Sequence, residues 1–451
     1  MTHDLTPDPA EGRRVHDLDR AHVFHSWSAQ GALDPMVLAG GEGSYVWDYD
    51  GTRYLDFSSQ LVNVNIGHQH PKVVAAIQEQ AATLATIAPQ HANAARGEAA
   101  HRIAEISPEG MNKVFFTNGG ADANENAIRM ARLHTGRRKV LSFYRSYHGN
   151  TGASIVSTGD PRRWPNEYAD GHVHFFGPYA YRSAFWAADE AQECERALEH
   201  LEQVITMEGP STIAAILIES VVGTAGVLVP PPGYLPGVRA LADKHGIVLI
   251  LDEVMAGFGR CGTWWAFENF DVVPDLITFA KGSNSGYVPV GGVVISDPIA
   301  HTFDDRVFPG GLTYSGHPLA CASIVASMDA FREEGIVENA KRIGDEVLGP
   351  GLRELADRHP VIGEVRGLGV FWALDLVTDR ATREPLAPYG GSSPAMGELV
   401  AESKKRGLLP FTNFNRMHVV PPCTVTDAEA KEGLAIIDEV LTVVDKHYMG
   451  A

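Results

Sequence analysis

GIVLILDEVMAGFGR, residues 246–260, is an unbroken apolar run that ends on two carboxylates and passes into a glycine turn. An apolar run that barely alternates is what a strand buried on both faces requires, so this stretch predicts an interior strand of a parallel sheet. The same pattern recurs on either side. TIAAILIES (212–220) and DLITFAKG (275–282) are further apolar runs with a polar residue at the end. KVFFTNGG (113–120) and KVLSFYRSYHG (139–149) each read as a strand running into a glycine turn. Between them lie helical patterns: ADANENAIRMARLHTG (121–136), closed by Gly136, and PPGYLPGVRALADKHG (231–246), a crossover helix. Strand and helix in alternation predict an α/β core on one mainly parallel sheet flanked by helices.

The ends of the chain differ from this core. Residues 1 to about 20 are polar and expected to be loose. SYVWDYDGTRYLDF (44–57) predicts two short strands joined at Asp50-Gly51, a strong hairpin signal. Pro71 starts a helix over KVVAAIQEQAATL. Beyond about residue 335 the rhythm changes. VIGEVRGLGVFWALDL (361–376) predicts a strand pair, ELVAESKKRGLL (398–409) a helix, and DAEAKEGLAIIDEVLTVVDKHY (427–448) a last amphipathic helix. The expected division is an N-terminal segment, 1–70, that serves a small domain and the mouth of the site, a large domain, 71–335, and a small α+β domain, 336–451.

Hydrophobic residues make up 44% of the 451 and charged ones 21%, so a large core is within reach. A net charge of -19 repels nucleic acid and anionic membranes, and neither is an expected partner. Cys194, Cys261, Cys321 and Cys423 are scattered, which argues against a disulfide framework and against a metal site. With no apolar leader at the start and no long apolar span, the expected location is the cytoplasm.

Three places carry chemistry. NGGADANE (118–125) lies between a strand and a helix, where successive backbone N–H groups and the positive helix end suit a phosphate; a tight turn without a ligand would look the same. Asp252 and Glu253 sit at the carboxyl end of a strand, the edge at which α/β sheets bind ligands. A buried Asp252 would be satisfied by a protonated pyridine nitrogen; a metal-binding or helix-capping acid pair is the other reading. Lys281 ends another apolar strand and precedes Gly282. It is either a surface charge or a desolvated amine able to form a Schiff base with an aldehyde cofactor. Pyridinium partner and Schiff-base lysine together are the pattern of pyridoxal 5′-phosphate (PLP).

In the order and spacing of these motifs the chain resembles the class III (ω-amino acid) aminotransferases, of PLP fold type I (aspartate-aminotransferase-like), from the hairpin near Tyr45 to the last helix. The resemblance implies a homodimer and assigns roles. Gly120 and Ala121 would bind the cofactor phosphate. Tyr147 in SYHG (146–149) would stack on the ring, with His148 beside it. Asp252 would pair with the ring nitrogen, and Val254 would pack on the opposite ring face. Lys281 would hold the cofactor and then shuttle the proton. Glu219 in LIESVVGTAGV (217–227) would support the site, and Thr313 in GLTYSGHP (311–318) would reach the phosphate of the neighbouring subunit. Two departures stand out. The phosphate turn reads Gly120-Ala121-Asp122 where the family usually has Gly-Ser-Glu. Thr224 stands where ornithine- and 4-aminobutyrate-type members carry a Glu.

The implied reaction is ping-pong transfer of an amino group from a donor to a 2-oxo acid such as pyruvate or 2-oxoglutarate. Substrate walls are expected from HVFHSWSAQ (22–30), LVNVN (61–65) and FNRMHVVPP (414–422). Phe24, Trp27 and Val62 are candidate apolar walls, with plain core packing as the other reading. Arg416 is the candidate clamp for an acid group, while Arg366 is expected to serve the fold. The first and last of these segments look similar to taurine aminotransferases, which implies taurine, β-alanine or a similar donor. Rival readings are an aminomutase, racemase or decarboxylase of the same fold, a PLP-binding protein without activity, and a dehydrogenase, which lacks a GxGxxG turn here.

Overall fold

A computed structural model describes residues 6–450. Its main sheet has seven strands, in the spatial order Lys113–Thr117, Gly291–Ile295, Leu276–Phe279, Val248–Asp252, Ile213–Glu219, Lys139–Phe143 and His172–Phe175. Gly291–Ile295 pairs antiparallel with both of its neighbours. The pairings from Leu276–Phe279 across to His172–Phe175 are all parallel. Every residue of Ile213–Glu219, Val248–Asp252 and Leu276–Phe279 is buried, as their continuous apolar runs require. Each fully buried Leu or Ile there contributes about 1.5–3 kcal/mol of hydrophobic stabilisation. Helix Gly120–Thr135 closes on Gly136, whose φ of 69° is the left-handed conformation that a glycine C-cap supplies.

The second half holds a separate antiparallel sheet. Ile362–Leu368 pairs with Phe371–Asp379, which pairs with Arg416–Val419, which pairs with Phe411–Asn413. The hairpin Tyr45–Asp48 and Arg53–Asp56 forms as expected. Helix Asp427–Val444 opens on a reciprocal capping box between Thr426 and Glu429. No described helix is long and apolar enough to cross a membrane.

Two expectations need correction. Within the polar stretch expected to be loose, Pro9–His22 is a helix, while residues 1–5 lie outside the described residues. None of its residues is buried, so no apolar stripe announces it. It rests instead on Asp8, whose side chain accepts from Glu11 N at 3.0 Å, and on Pro9 in the first turn. The helix expected over 398–409 runs from Pro394 to Lys405. Gly407, at φ 79°, then turns the chain so that Leu408–Leu409 pairs in parallel with Arg53–Asp56. That pairing joins the N-terminal hairpin to the C-terminal part of the chain in one sheet.

Candidate active site

Two neighbouring parallel strands end on Glu219 and Asp252, and a third ends two residues before Lys281. Glu219 faces Asp252 in register, and Asp252 faces Thr278, so these side chains leave the same side of the sheet. Lys281 has φ 39°, in the left-handed region. A side chain held there costs about 1–3 kcal/mol, and such strain concentrates at functional sites.

Asp252 is 3% exposed and fully engaged on one oxygen. Oδ2 accepts from His148 Nδ1 at 2.8 Å and Asn124 Nδ2 at 2.7 Å. Asn124 is fixed in turn by Thr278 Oγ1, which donates to its Oδ1 at 2.7 Å. Oδ1 of Asp252 accepts from Val254 N at 3.0 Å. Glu219 accepts from Tyr147 N at 3.1 Å and Gly223 N at 2.8 Å. Burial, with the charge of Asp252 nearby, raises the Glu219 carboxyl to about 7. Burial lowers the Lys281 amine to about 8, opposed by the negative charges of Asp252 and Glu219. Glu253, beside Asp252, faces away into contacts with Ser220 and the N–H groups of Ala266 and Phe267, and so serves the fold.

Gly120, Ala121, Tyr147, His148, Glu219, Asp252, Val254 and Lys281 all line one cavity. A second cavity shares Leu61, Tyr147, Thr224, Met255 and Lys281 with it and adds Trp27, Arg162 and Phe414. The structure does not bring every candidate here: Arg416 lines neither cavity and meets the second only through Phe414, whose ring its guanidinium overlies at 5.2 Å. Phe24 is 85% exposed and lines neither cavity. Thr313 is exposed and lines neither cavity of its own chain. Val62 is a correction: it is fully buried in a core cluster with Val221, Phe371 and Val420, and Leu61 lines the cavities instead. The reason is local. Ser59, Gln60 and Val62 all have positive φ, which turns the segment so that neighbouring side chains exchange the faces a regular chain would give them. Arg366 serves the fold, paired with Glu364 and Asp375.

Sequence reasoning missed two residues. Asn124 follows the glycine turn by one helical turn, and that i, i+4 spacing was the available signal. Arg162 lies over the Tyr147 ring at 3.6 Å, in the 3₁₀ stretch Pro161–Asn166, where no periodicity marks it. Leu61 lies within the expected wall segment 61–65, and the structure selects it in place of Val62.

The model of the class-III aminotransferases matches residues 28–441. The taurine–pyruvate aminotransferase of Bilophila wadsworthia is 32% identical over 98% of this chain and 100% of its own. The 5-aminovalerate aminotransferase of Pseudomonas aeruginosa is 36% identical over 91% of this chain and 94% of its own. Among solved structures, the taurine:2-oxoglutarate aminotransferase of Bifidobacterium kashiwanohense, in complex with PLP and glutamate, superposes with a TM-score of 0.94 at 43% identity, covering 99% of this chain and 100% of that one.

Class-III aminotransferases use PLP, and the first cavity fits it. Gly119 gives helix Gly120–Thr135 no side-chain cap, so the first N–H groups remain available to a phosphate. A Cβ at Gly120 would stand 2.8 Å from Val254 Cγ1, so glycine keeps that wall of the cavity close. His148 Nε2 is buried without a partner, as a ring prepared for a further polar neighbour would be. Gly120→Ala should therefore weaken PLP binding about tenfold, since overpacking of this kind costs about 1–3 kcal/mol. Titration of the apoprotein with PLP, followed by fluorescence, measures it; unchanged affinity would show that the wall yields. Family match, relatives of full length and a cavity shaped for the cofactor agree: the chain belongs to the class-III aminotransferases and is a PLP-dependent enzyme.

Proposed function

We propose that this aminotransferase takes the amino group of a short ω-amino acid ending in a sulfonate or carboxylate, such as taurine or β-alanine, and delivers it to pyruvate or 2-oxoglutarate. One observation carries the reading. Arg416 lines neither cavity itself, but it is 5% exposed, its Nε and Nη2 have no hydrogen-bond partner among the described residues, and its guanidinium lies 5.2 Å from the ring centre of Phe414, a wall of the donor cavity. Burial lowers it to about 10, still fully charged at neutral pH. A buried cation without a partner calls for an anion, and a guanidinium fork matches a carboxylate or sulfonate. Arg162, on the wall of the same cavity, adds a second positive charge, although Asp160 already engages it.

Bound in the first cavity, PLP supplies the electron sink that makes the donor's C–H bond acidic. Gly120 and Ala121 would hold its phosphate, Tyr147 and Val254 would flank its ring, and Asp252 would face its nitrogen. Lys281, lowered to about 8, exchanges protons near neutrality, which suits it to take the donor's proton and return it. The carboxyl of Glu219 braces Tyr147 and the loop at Gly223. Trp27, 62% exposed, closes the outer side of the donor cavity.

The same reading makes the enzyme a homodimer, in which the exposed Thr313 reaches the partner's phosphate site. It also places the enzyme in the cytoplasm, in keeping with four unpaired cysteines. The large unit spans 71–335 and the small one 336–451, with 1–70 serving both the small unit and the mouth of the site.

The test is a half-reaction panel. Taurine, β-alanine and 4-aminobutyrate are each added to the PLP-loaded enzyme without a 2-oxo acid, and loss of the long-wavelength absorbance is followed. At least one should convert the cofactor fully, and Arg416→Leu should raise its KM about tenfold or more while sparing an amine that has no acid group. If all three leave the spectrum unchanged, the donor class is wrong.

A further inference from the structure

The segment 223–226 is buried along its whole length, so its carbonyl groups need partners inside the protein. Gly223 O accepts from Gly226 N at 2.9 Å and Val227 N at 3.0 Å, and His418 Nε2 approaches it at 3.1 Å. A carbonyl only accepts, so Nε2 carries the hydrogen. Burial holds the ring pKa at about 3, and His418 is neutral across the working range. Thr224 O accepts from Asn413 Nδ2 at 2.6 Å, and Gly226 O accepts from Arg366 Nε at 2.6 Å. All three donors stand on the antiparallel sheet: Arg366 on Ile362–Leu368, Asn413 on Phe411–Asn413, His418 on Arg416–Val419. Three side chains of one sheet thus grip the carbonyls of a loop that issues from the other.

Thr224 sits among these anchors. It lines both cavities, and its Oγ1 lies 3.5 Å from Arg162 Nη2. A donor must lay its amine at Lys281 and its acid group toward the guanidinium groups, passing Thr224 on the way. We propose that His418, Asn413 and Arg366 are positioning residues that hold Thr224 at the junction of the two cavities and so set the length of amino donor that is accepted, an inference that rests on the reading of this chain as an ω-amino acid aminotransferase. A fixed wall favours the chain that just spans the junction. A wall free to recede admits a longer chain and gives up contact with the short one.

The experiment compares kcat/KM for β-alanine and for the longer 5-aminovalerate in PLP-loaded, full-length enzyme. His418→Leu removes the N–H toward Gly223 O but keeps an apolar side chain beside Phe411. His418→Gln can return an N–H to nearly the same place. In His418→Leu the ratio of long to short donor should rise about fivefold, the scale of one lost buried hydrogen bond, through KM and not kcat. In His418→Gln it should fall back toward the wild-type ratio. If His418→Leu does not fold, His418→Phe, which keeps a ring beside Phe411 but has no N–H, must shift the ratio in the same direction. An unchanged ratio overturns the proposal, as does an equal loss in kcat for both donors, which would mark plain structural damage. A wild-type enzyme that uses neither donor is a different result: it overturns the donor reading, and this inference with it.

Discussion

Lys281→Ala lowers kcat by about 10³–10⁴-fold or more, the scale on which a positioned proton-transfer group acts. On the proposed reading the same substitution removes the amine that would hold PLP, so borohydride reduction of the PLP-loaded protein followed by peptide mapping should modify position 281 in the parent and leave the variant unlabelled there. The pH dependence follows from the lowered amine. Attachment needs the neutral amine, whose fraction at pH 7 is about one in ten for a group at about 8 and about one in 2,500 for an ordinary lysine. The rate of covalent capture by the apoprotein should rise about tenfold per pH unit below 8 and level off above it. A lysine left at its usual value would keep gaining rate to beyond pH 10. A profile that climbs without a break through pH 9 would show that the burial of Lys281 does not tune it.

Much of this was legible in the sequence because the site sits where strands stop. Asp252 and Lys281 each follow an apolar run at the ligand edge of a parallel sheet, which made them candidates from the residues alone, while Glu219, at the end of a third run, was named by the family resemblance. The Gly119-Gly120 turn between strand and helix made a phosphate site possible, and the family resemblance assigned it to Gly120 and Ala121. What stayed hidden depends on backbone that follows no period. Val62 and Leu61 differ by one position, and only the run of positive φ at Ser59, Gln60 and Val62 decides which faces the cavity. Arg162 sits in a short 3₁₀ stretch and reaches the site through its long side chain, and its sequence surroundings resemble any surface loop. Helix Pro9–His22 was missed because it buries nothing, so the apolar stripe that reveals other helices is absent.

Asp252→Asn is the second large effect, and its size can be argued from the hydrogen bonds. The carboxylate needs no donor of its own: His148 Nδ1 and Asn124 Nδ2 approach Oδ2, and Val254 N approaches Oδ1. An amide in its place has one acceptor oxygen. If that oxygen stays with His148 and Asn124, the new NH₂ meets Val254 N–H donor to donor; turned the other way, it meets Asn124. Either arrangement leaves a buried donor unsatisfied, at a cost of about 1–3 kcal/mol. The larger loss is electrostatic. The variant lacks the carboxylate that would face the ring nitrogen and hold a proton on it, and removing one such preorganised group costs about 10²–10³ in rate. We expect kcat/KM to fall by that factor or more. A coenzyme whose ring nitrogen carries a methyl group, and with it a fixed positive charge, should recover part of the lost activity in Asp252→Asn while giving the parent no gain. Equal activity of parent and variant with PLP, or failure of the fixed-charge coenzyme to favour the variant, would mean that Asp252 braces His148 and Asn124 and does not govern the charge of the ring.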